Sequence, residues 1–254
     1  MIGYEEYVKC FRDYYDKLKS SCDSKEKLQE LSDLRKISVE ELETEEMVYV
    51  DSGTKMLIPE YMDNVKELGV ISNTNNKPIF NNRYVFPIKD WHGNIVNLVG
   101  YSKDSDERYV YGTGEWYRRR DYIYGLENLN YAYKVGWCIL TEGISDAWAV
   151  RQFGFKNTFG NCGVEFSEFK KSQLSRLRFG IIQIPDRDRP GLKLLRDTDI
   201  DKKVSLFVPI KYKDAAKTVE EGYGEDLVSV LKEISGWITN EGRLLSRYNE
   251  VVNM

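Results

Sequence analysis

The sequence contains little histidine and little cysteine. Its 254 residues include one histidine and four cysteines, and no two cysteines have the C-x-x-C spacing of common zinc sites. These shortages argue against a zinc site built from cysteine and histidine. We expect free thiols in a reducing compartment, at Cys10, Cys22, Cys138 and Cys162. His92, in a predicted turn, is the one candidate for chemistry that needs a histidine base.

Proline and long apolar runs are also scarce. The chain has six prolines, too few for a long Pro-rich disordered tail. No apolar run approaches the roughly 18 residues that span a bilayer. The first residues, MIGYEEYVKCFRDYYDK, lack the apolar core and cleavage site of a secretory signal. We therefore expect a cytoplasmic protein that does not enter a membrane.

The remaining composition is that of a globular protein, with 41% hydrophobic and 31% charged residues. A chain of this length can form one large domain or two small ones with a proper core. The net charge of −4 argues against a protein that coats nucleic acid non-specifically. The charges are unevenly distributed along the chain, so local patterns are more informative than the total.

Hydrophobic periodicity divides the chain near residue 135. The first part begins with helices, one of which starts at Ser38 with Glu41 as a capping box. From residue 135, apolar strands alternate with helices, which is typical of a parallel sheet covered on both faces. We predict an α/β protein in three segments: residues 1–134, a helical and α+β subdomain; residues 135–236, a Rossmann-like subdomain with a largely parallel sheet; and residues 237–254, a C-terminal helix.

Individual elements follow from the same patterns. Strands are predicted over 84–88 and 94–102, which form a hairpin, and over 109–111, 137–141, 180–185 and 204–210. Helices are predicted over 4–18, 59–68, 144–153 and 192–196.

Acidic residues follow the predicted parallel strands. Glu142 and Asp146 come after residues 137–141, Asp186 and Asp188 come after residues 180–185, and Asp214 comes after the next strand. Ligands of open α/β sheets bind beyond the carboxyl ends of the strands, and carboxylates gathered there repel one another unless a cation lies between them. Oxygen ligands of this kind suit Mg²⁺. Taken singly, the same acids also suit helix N-termini or solvated turns.

The spacing of these residues resembles a known domain. Glu142-Gly143-x-x-Asp146, followed by Gly154, Gly163 and Asp186-x-Asp188-x-x-Gly191, is similar to the Toprim domain of DnaG-type primases, topoisomerases and some nucleases. Three upstream segments resemble the DnaG catalytic core: Asn82-Arg83-Tyr-Val-Phe-Pro-Ile-Lys89-Asp90-x-x-Gly93, Arg108-Tyr-Val and Tyr122-Ile-Tyr-Gly125-Leu. Order and spacing match from about residue 38 to about residue 230. The chain therefore resembles the catalytic core of a DnaG-type primase.

The resemblance implies synthesis of RNA primers on single-stranded DNA by metal-dependent nucleotidyl transfer. It implies that Glu142, Asp186 and Asp188 are catalytic and bind metal, with Asp146 and Asp214 as further metal ligands. The implied cofactor is Mg²⁺ or Mn²⁺, as two ions. The residues implied to bind nucleic acid or nucleotide are Arg83, Lys89, Arg108 and Arg119. The implied partners are the template, ribonucleoside triphosphates, and a replicative helicase or a separate zinc-binding module.

The sequence also departs from the family pattern. The Cys/His ligands of the family's zinc ribbon are missing, and we expect no helicase-binding domain because the chain ends soon after the core. Tyr101 stands where the family often has an arginine. Lys217 stands where the third acidic motif often has a carboxylate, which bears on the second metal site. A compact core of this kind is expected in a bacteriophage or a mobile element.

Arginines and aromatic residues alternate over residues 108–124. Arginine neutralises phosphates and aromatic faces stack on unpaired bases, so the mixture suits a single-stranded template. A solvated, Tyr-rich strand pair would have the same composition.

Two alternatives to a primase stay open. A Toprim nuclease would use the same acids with water as the nucleophile, and a non-catalytic nucleic-acid-binding subunit of a replication complex would account for Tyr101 and Lys217.

Overall fold

The chain folds into two compact units. The computed structural model describes residues 2–52, 67–72, 79–114, 116–162, 166–188, 191, 204–208 and 210–252. One unit comprises Met1–Asp33 and Ser38–Arg118, and the other comprises Leu34–Ile37 and Arg119–Met254. The division after Arg118 lies upstream of the boundary that the sequence predicts near residue 135. The reason is that residues 119–135 supply a strand and a helix to the second unit.

The helices of the N-terminal region have one buried apolar stripe or a defined cap. They are α1 (Tyr4–Ser21), α2 (Lys25–Arg35) and α3 (Val39–Thr44). In α1, Tyr7, Phe11 and Tyr15 are buried at the four-residue spacing that the sequence predicts. The Oγ of Ser38 accepts a hydrogen bond from the Glu41 backbone N–H at 3.2 Å, so the predicted N-cap of α3 is confirmed.

An antiparallel sheet of four strands completes the first unit. The strands, in their order across the sheet, are β1 (Val48–Val50), β2 (Arg83–Lys89), β3 (Ile95–Tyr101) and β4 (Tyr109–Tyr111). Strands β2 and β3 form the predicted hairpin. The Asp90 carboxylate closes its turn, because it accepts hydrogen bonds from the backbone N–H groups of His92 at 2.8 Å and Asn94 at 2.9 Å. The buried stripe of α1 belongs to the same apolar cluster as Val85 and Leu98 of this sheet.

A sheet of five strands forms the centre of the second unit. The strands are β5 (Ile123–Tyr124), β6 (Trp137–Thr141), β7 (Thr158–Asn161), β8 (Gly180–Ile184) and β9 (Val204–Phe207), in the spatial order β5-β7-β6-β8-β9. Strands β6 to β9 are parallel, and β5 pairs antiparallel with β7. The predicted α/β fold with a largely parallel sheet is therefore confirmed.

Helices lie against both faces of this sheet. They are α4 (Leu129–Val135), α5 (Ile144–Arg151), α6 (Glu168–Leu174), α7 (Ala215–Glu220) and α8 (Gly224–Val252). Successive strand residues join different apolar clusters: Ile181 packs in the cluster of Leu174, and Ile182 packs in the cluster of Leu231. This alternation explains why the strands are apolar throughout, as a sheet covered on both faces requires.

Some elements differ from the sequence-based expectations. The predicted C-terminal helix from residue 237 is the last part of α8, which is continuous from Gly224 to Val252. Strands β1, β5 and β7, of three, two and four residues, were not predicted. The predicted helix over 192–196 lies outside the described residues, as does most of the predicted helix over 59–68. Within the described part of the chain, no helix combines the length and apolar character that crossing a membrane requires.

Candidate active site

The first acidic pair lies where β6 turns into α5. Strand β6 ends at Thr141, Glu142 and Gly143 form the turn, and α5 begins at Ile144. Thr141 pairs with Gly160 of β7, and a Cβ built at Gly160 would lie 3.0 Å from the Gly143 carbonyl oxygen. The small residue at position 160 thus lets β7 approach the turn closely and holds Glu142 at the carboxyl edge of the sheet.

The second acidic pair, Asp186 and Asp188, lies just beyond β8, and Gly191 packs against both residues. The backbone N–H of Gly191 donates a hydrogen bond to Asp188 Oδ1 at 3.0 Å. A Cβ at Gly191 would lie 2.2 Å from the Asp186 carbonyl oxygen, which is too close for any other residue without movement of the backbone. This close approach is the physical reason for the spacing Asp186-x-Asp188-x-x-Gly191.

Asp146 and Asp214 both hold the start of α7. Asp146 Oδ1 accepts a hydrogen bond from the Ala216 backbone N–H at 2.8 Å, and Asp214 Oδ1 accepts one from the Lys217 backbone N–H at 2.7 Å. Asp146 is only 5% exposed. These two acids satisfy backbone donors that the helix itself leaves unpaired. Each therefore has a structural function in addition to the metal-binding function that the sequence predicts.

A backbone hydrogen bond joins the loops after β8 and β9. The Arg187 N–H donates to the Lys213 carbonyl oxygen at 2.7 Å. The Arg187 guanidinium also donates to the Lys211 carbonyl oxygen. Neither Arg187 nor Lys213 is among the site residues predicted from the sequence. Their positions, one between two aspartates and one directly before Asp214, were the available signal.

The acidic side chains lie close enough to repel one another. Burial, and then the charges of Asp146, Glu142 and Asp214, raise the pKa of Asp186 to about 8. Burial, and then the charge of Asp188, raise the pKa of Glu142. The pKa of Asp146 is raised to about 6, by burial first and then by Asp214. The structure thus brings the predicted acids into one electrostatically coupled group.

The donor set fits a divalent cation that keeps other ligands. Glu142 Oε2 is buried and accepts no hydrogen bond, and a buried unpaired carboxylate oxygen is costly. A cation would satisfy this oxygen and offset the repulsion between the carboxylates. Among the described residues, no three Asp, Glu, His or Cys side chains form a ready metal-binding set. The described acids therefore do not form a complete metal-binding set by themselves, and Mg²⁺ commonly completes its shell with water and substrate phosphates.

Two of the basic residues that the sequence assigns to phosphate binding are engaged inside the first unit. Burial lowers the pKa of Arg83, and its guanidinium donates hydrogen bonds to the carbonyl oxygens of Glu107 at 2.9 Å and Arg108 at 3.3 Å. The Lys89 ammonium forms an ion pair with Glu46. In this structure both side chains stabilise their own unit, and their binding to nucleotides stays a prediction.

The other two predicted basic residues are exposed. Arg108 directly precedes β4, and its side chain forms no ion pair with any described residue. The Arg119 Nε donates a hydrogen bond to the Cys162 carbonyl oxygen, so its stem is held by the residue that follows β7. Aromatic rings accompany these arginines: Tyr101 packs against Tyr109 at 5.1 Å between ring centroids. Arg108 is therefore a better candidate for phosphate binding than Arg119, because the Arg119 guanidinium already donates a hydrogen bond within its own unit.

The structure thus places a cluster of carboxylates at the carboxyl edge of a largely parallel sheet. Comparison with solved structures places the fold among DnaG primases. The DnaG primase catalytic domain bound to single-stranded DNA has a TM-score of 0.74 and 17% identity, over 90% of this chain and 80% of that one. The Aquifex aeolicus primase, with zinc-binding and RNA polymerase domains, has a TM-score of 0.72 and 20% identity, over 91% of this chain and 62% of that one.

Sequence comparison agrees. The DNA primase of Borreliella burgdorferi is 29% identical over 172 residues, which cover 66% of this chain and 32% of that protein. The chain therefore spans about a third of this relative. No family model matches the chain. The resemblance to a DnaG-type primase catalytic core, inferred from the motifs, is confirmed, and the fold is that of this core.

The repulsion between the carboxylates predicts an unusual dependence of stability on pH. Because the pKa of Asp186 is about 8 in the folded protein and 3.8 as a model value, its ionisation costs stability progressively as the pH rises from about 4 to about 8. In metal-free protein at pH 8, we expect Asp186→Asn to raise the melting temperature by about 2–4 °C. Calorimetry in EDTA measures this shift.

The exposed acid Asp226, in the first turn of α8, provides the control. Asp226→Asn should leave the pH dependence unchanged, and added Mg²⁺ should stabilise this variant and the wild type but not Asp186→Asn. A lower melting temperature for Asp186→Asn in EDTA would contradict the repulsion.

The close approach at Gly191 predicts a second effect. Gly191→Ala places a Cβ against the Asp186 carbonyl oxygen, so the loop must shift, at a cost of about 1–3 kcal/mol. We expect the affinity for Mn²⁺, measured by titration, to fall at least about tenfold, a loss of roughly 1.4 kcal/mol. Gly236→Ala, where a Cβ meets nothing within 4 Å, should instead stabilise α8 by about 1 kcal/mol. Wild-type Mn²⁺ affinity in Gly191→Ala would show that the loop tolerates the shift.

Proposed function

We propose that this protein synthesises RNA primers on a single-stranded DNA template as a DNA primase. The observation that carries this proposal is the cluster around Glu142 and Asp186, with its unpaired buried oxygen and mutual repulsion, on the fold of the DnaG catalytic core. In the proposed reaction, the 3′-oxygen of one nucleotide attacks the α-phosphorus of the next. The bond to the β-phosphate breaks, pyrophosphate leaves with the electron pair, and the hydroxyl proton passes to water.

The second unit is, in this proposal, a Toprim domain whose acids bind Mg²⁺ or Mn²⁺. Glu142, Asp186 and Asp188 would hold the metal. The family resemblance implies two metal ions at this site. When bound, the metal would neutralise the charge that develops on the attacking and leaving oxygens. Asp146 and Asp214 would support the site by fixing the start of α7.

The template and the nucleotides would be bound by exposed cations and aromatic faces. Arg108 and Arg119 are proposed to bind phosphates, since arginine pairs with phosphate oxygens and contributes to binding of every sequence. The DnaG catalytic domain of similar fold was solved with single-stranded DNA, which supports DNA as the template. Arg83 and Lys89 are proposed to contact template or nucleotide phosphates too, in addition to the bonds that hold them in the first unit.

Partners and origin are proposed from the same resemblance. A replicative helicase, or a separate module that binds zinc, would help the chain to initiate primers. The Aquifex aeolicus primase of similar fold has a zinc-binding domain beside its polymerase domain, which supports the second possibility. A cytoplasmic location and a bacteriophage or mobile-element origin complete the proposal.

A primer-synthesis assay tests this function. With labelled ribonucleotides, single-stranded DNA and Mg²⁺ or Mn²⁺, we expect short RNA products from the wild type. Asp186→Asn combined with Asp188→Asn should reduce product at least about 100-fold, because two of the proposed metal ligands are removed. Asp226→Asn is the matched control and should retain full activity. Template cleavage without RNA synthesis would favour the Toprim nuclease, and DNA binding without either reaction would favour a non-catalytic subunit.

The exposed arginine gives a prediction about DNA affinity. Arg108→Gln should weaken binding to single-stranded DNA of every sequence and reduce the salt dependence, the slope of log K against log salt, by about 0.7 for each phosphate that the arginine neutralises. Fluorescence anisotropy at several salt concentrations measures both quantities. Lys232→Gln, an equal change of charge at an exposed position of α8, is the control. An unchanged slope in Arg108→Gln would show that this arginine is only solvated.

A further inference from the structure

Three lysines lie in or near the loop that precedes α7, and two of them have partners. The Lys211 ammonium lies over the rings of Tyr212 at 5.4 Å and Tyr223 at 4.7 Å from the centroids. The Lys217 ammonium forms ion pairs with Glu221 at 2.7 Å and Glu220 at 3.5 Å. Their charges are thus engaged by neighbouring side chains. Lys213 differs, since its exposed ammonium forms no ion pair with any residue that the structure describes.

The backbone fixes Lys213 between the acidic loops. Its carbonyl oxygen accepts the hydrogen bond from Arg187, which lies between Asp186 and Asp188. Its neighbour Asp214 is bound to the first turn of α7. Lys213 is therefore anchored on both sides within the proposed metal-binding group.

The charge of Lys213 acts on the acids of the site. The Lys213 ammonium is close enough to Glu142 and Asp186 to interact electrostatically with both carboxylates. A cation at this position has two opposite consequences. It repels a divalent metal ion that binds alone, and it attracts an anion that arrives with the metal, such as a phosphate chain.

We propose that the Lys213 ammonium binds phosphate oxygens of the nucleotide at the acidic site, on the group that leaves as pyrophosphate. Lysine is a common phosphate ligand that acts as a point charge. The inference rests on the proposed function, and it adds a residue that binds substrate. In the reaction stated above, Lys213 neutralises the charge that pyrophosphate gains when its bond to the α-phosphorus breaks.

The opposite consequences give a test that does not need catalysis. By calorimetric titration, the wild type should bind Mn²⁺, and the Mn²⁺-loaded protein should bind inorganic pyrophosphate. In Lys213→Gln, the affinity for pyrophosphate should fall about tenfold, the range for a hydrogen bond to a charged group. The affinity for Mn²⁺ alone should rise about threefold, because a nearby positive charge is removed. Lys213→Arg should restore pyrophosphate binding.

Lys232→Gln, an equal change of charge at an exposed position of α8, is the matched control, and both affinities should stay at the wild-type values. Three results would overturn the inference: unchanged pyrophosphate affinity in Lys213→Gln, a parallel fall of both affinities, or no pyrophosphate binding by the wild type. The proposed function is judged separately. Primer synthesis by the wild type with unchanged pyrophosphate affinity in Lys213→Gln would reject only the role of Lys213. The expected affinities without primer synthesis would reject the primase and would leave Lys213 as a phosphate-binding residue.

Discussion

Like-charge repulsion at the carboxyl edge of the parallel sheet is the constraint on which the second unit depends. Parallel strands end at the same edge, so the residues that follow β6 and β8 must meet there. These residues are acidic. Burial, together with repulsion from the neighbouring carboxylates, raises the pKa of Asp186 to about 8. A sheet edge with this charge is stable only if other groups offset the repulsion. The hydrogen bonds around the site provide part of that offset.

Backbone donors supply the offset that belongs to the protein itself. Asp146 and Asp214 accept N–H groups at the start of α7, and Asp188 accepts the N–H of Gly191. These bonds fix three carboxylates in place. Glu142 Oε2 has no such donor. The described hydrogen bonds therefore hold Asp146, Asp188 and Asp214, and one buried oxygen of Glu142 stays available to an external cation.

The sequence predicts the sheet and the acidic positions well, because both depend on local signals. The apolar runs that become β6 and β8 are separated by helical periodicity, and the acids follow them directly. Strands β5 and β7 escape prediction because they are two and four residues long and gain their stability from pairing with each other and with β6. The boundary between the two units also depends on this pairing. Because β5 pairs with β7, the residues from Arg119 onward belong to the second unit. Such long-range pairing leaves little trace in local composition.

The same distinction applies to the basic residues. Arg83 and Lys89 lie in a motif that resembles the primase core, yet their charges are bound by carbonyl oxygens and by Glu46 within the first unit. Arg108 and Lys213 are exposed and have no ion pair with described residues. A sequence motif predicts a cation at a given position. It does not predict whether that cation stabilises a loop or binds a phosphate. We propose that, in this protein, exposure together with the absence of an ion pair among the described residues distinguishes the cations that bind phosphate. That distinction makes Lys213, beside the acids, the cation best placed to meet a phosphate at the proposed metal site.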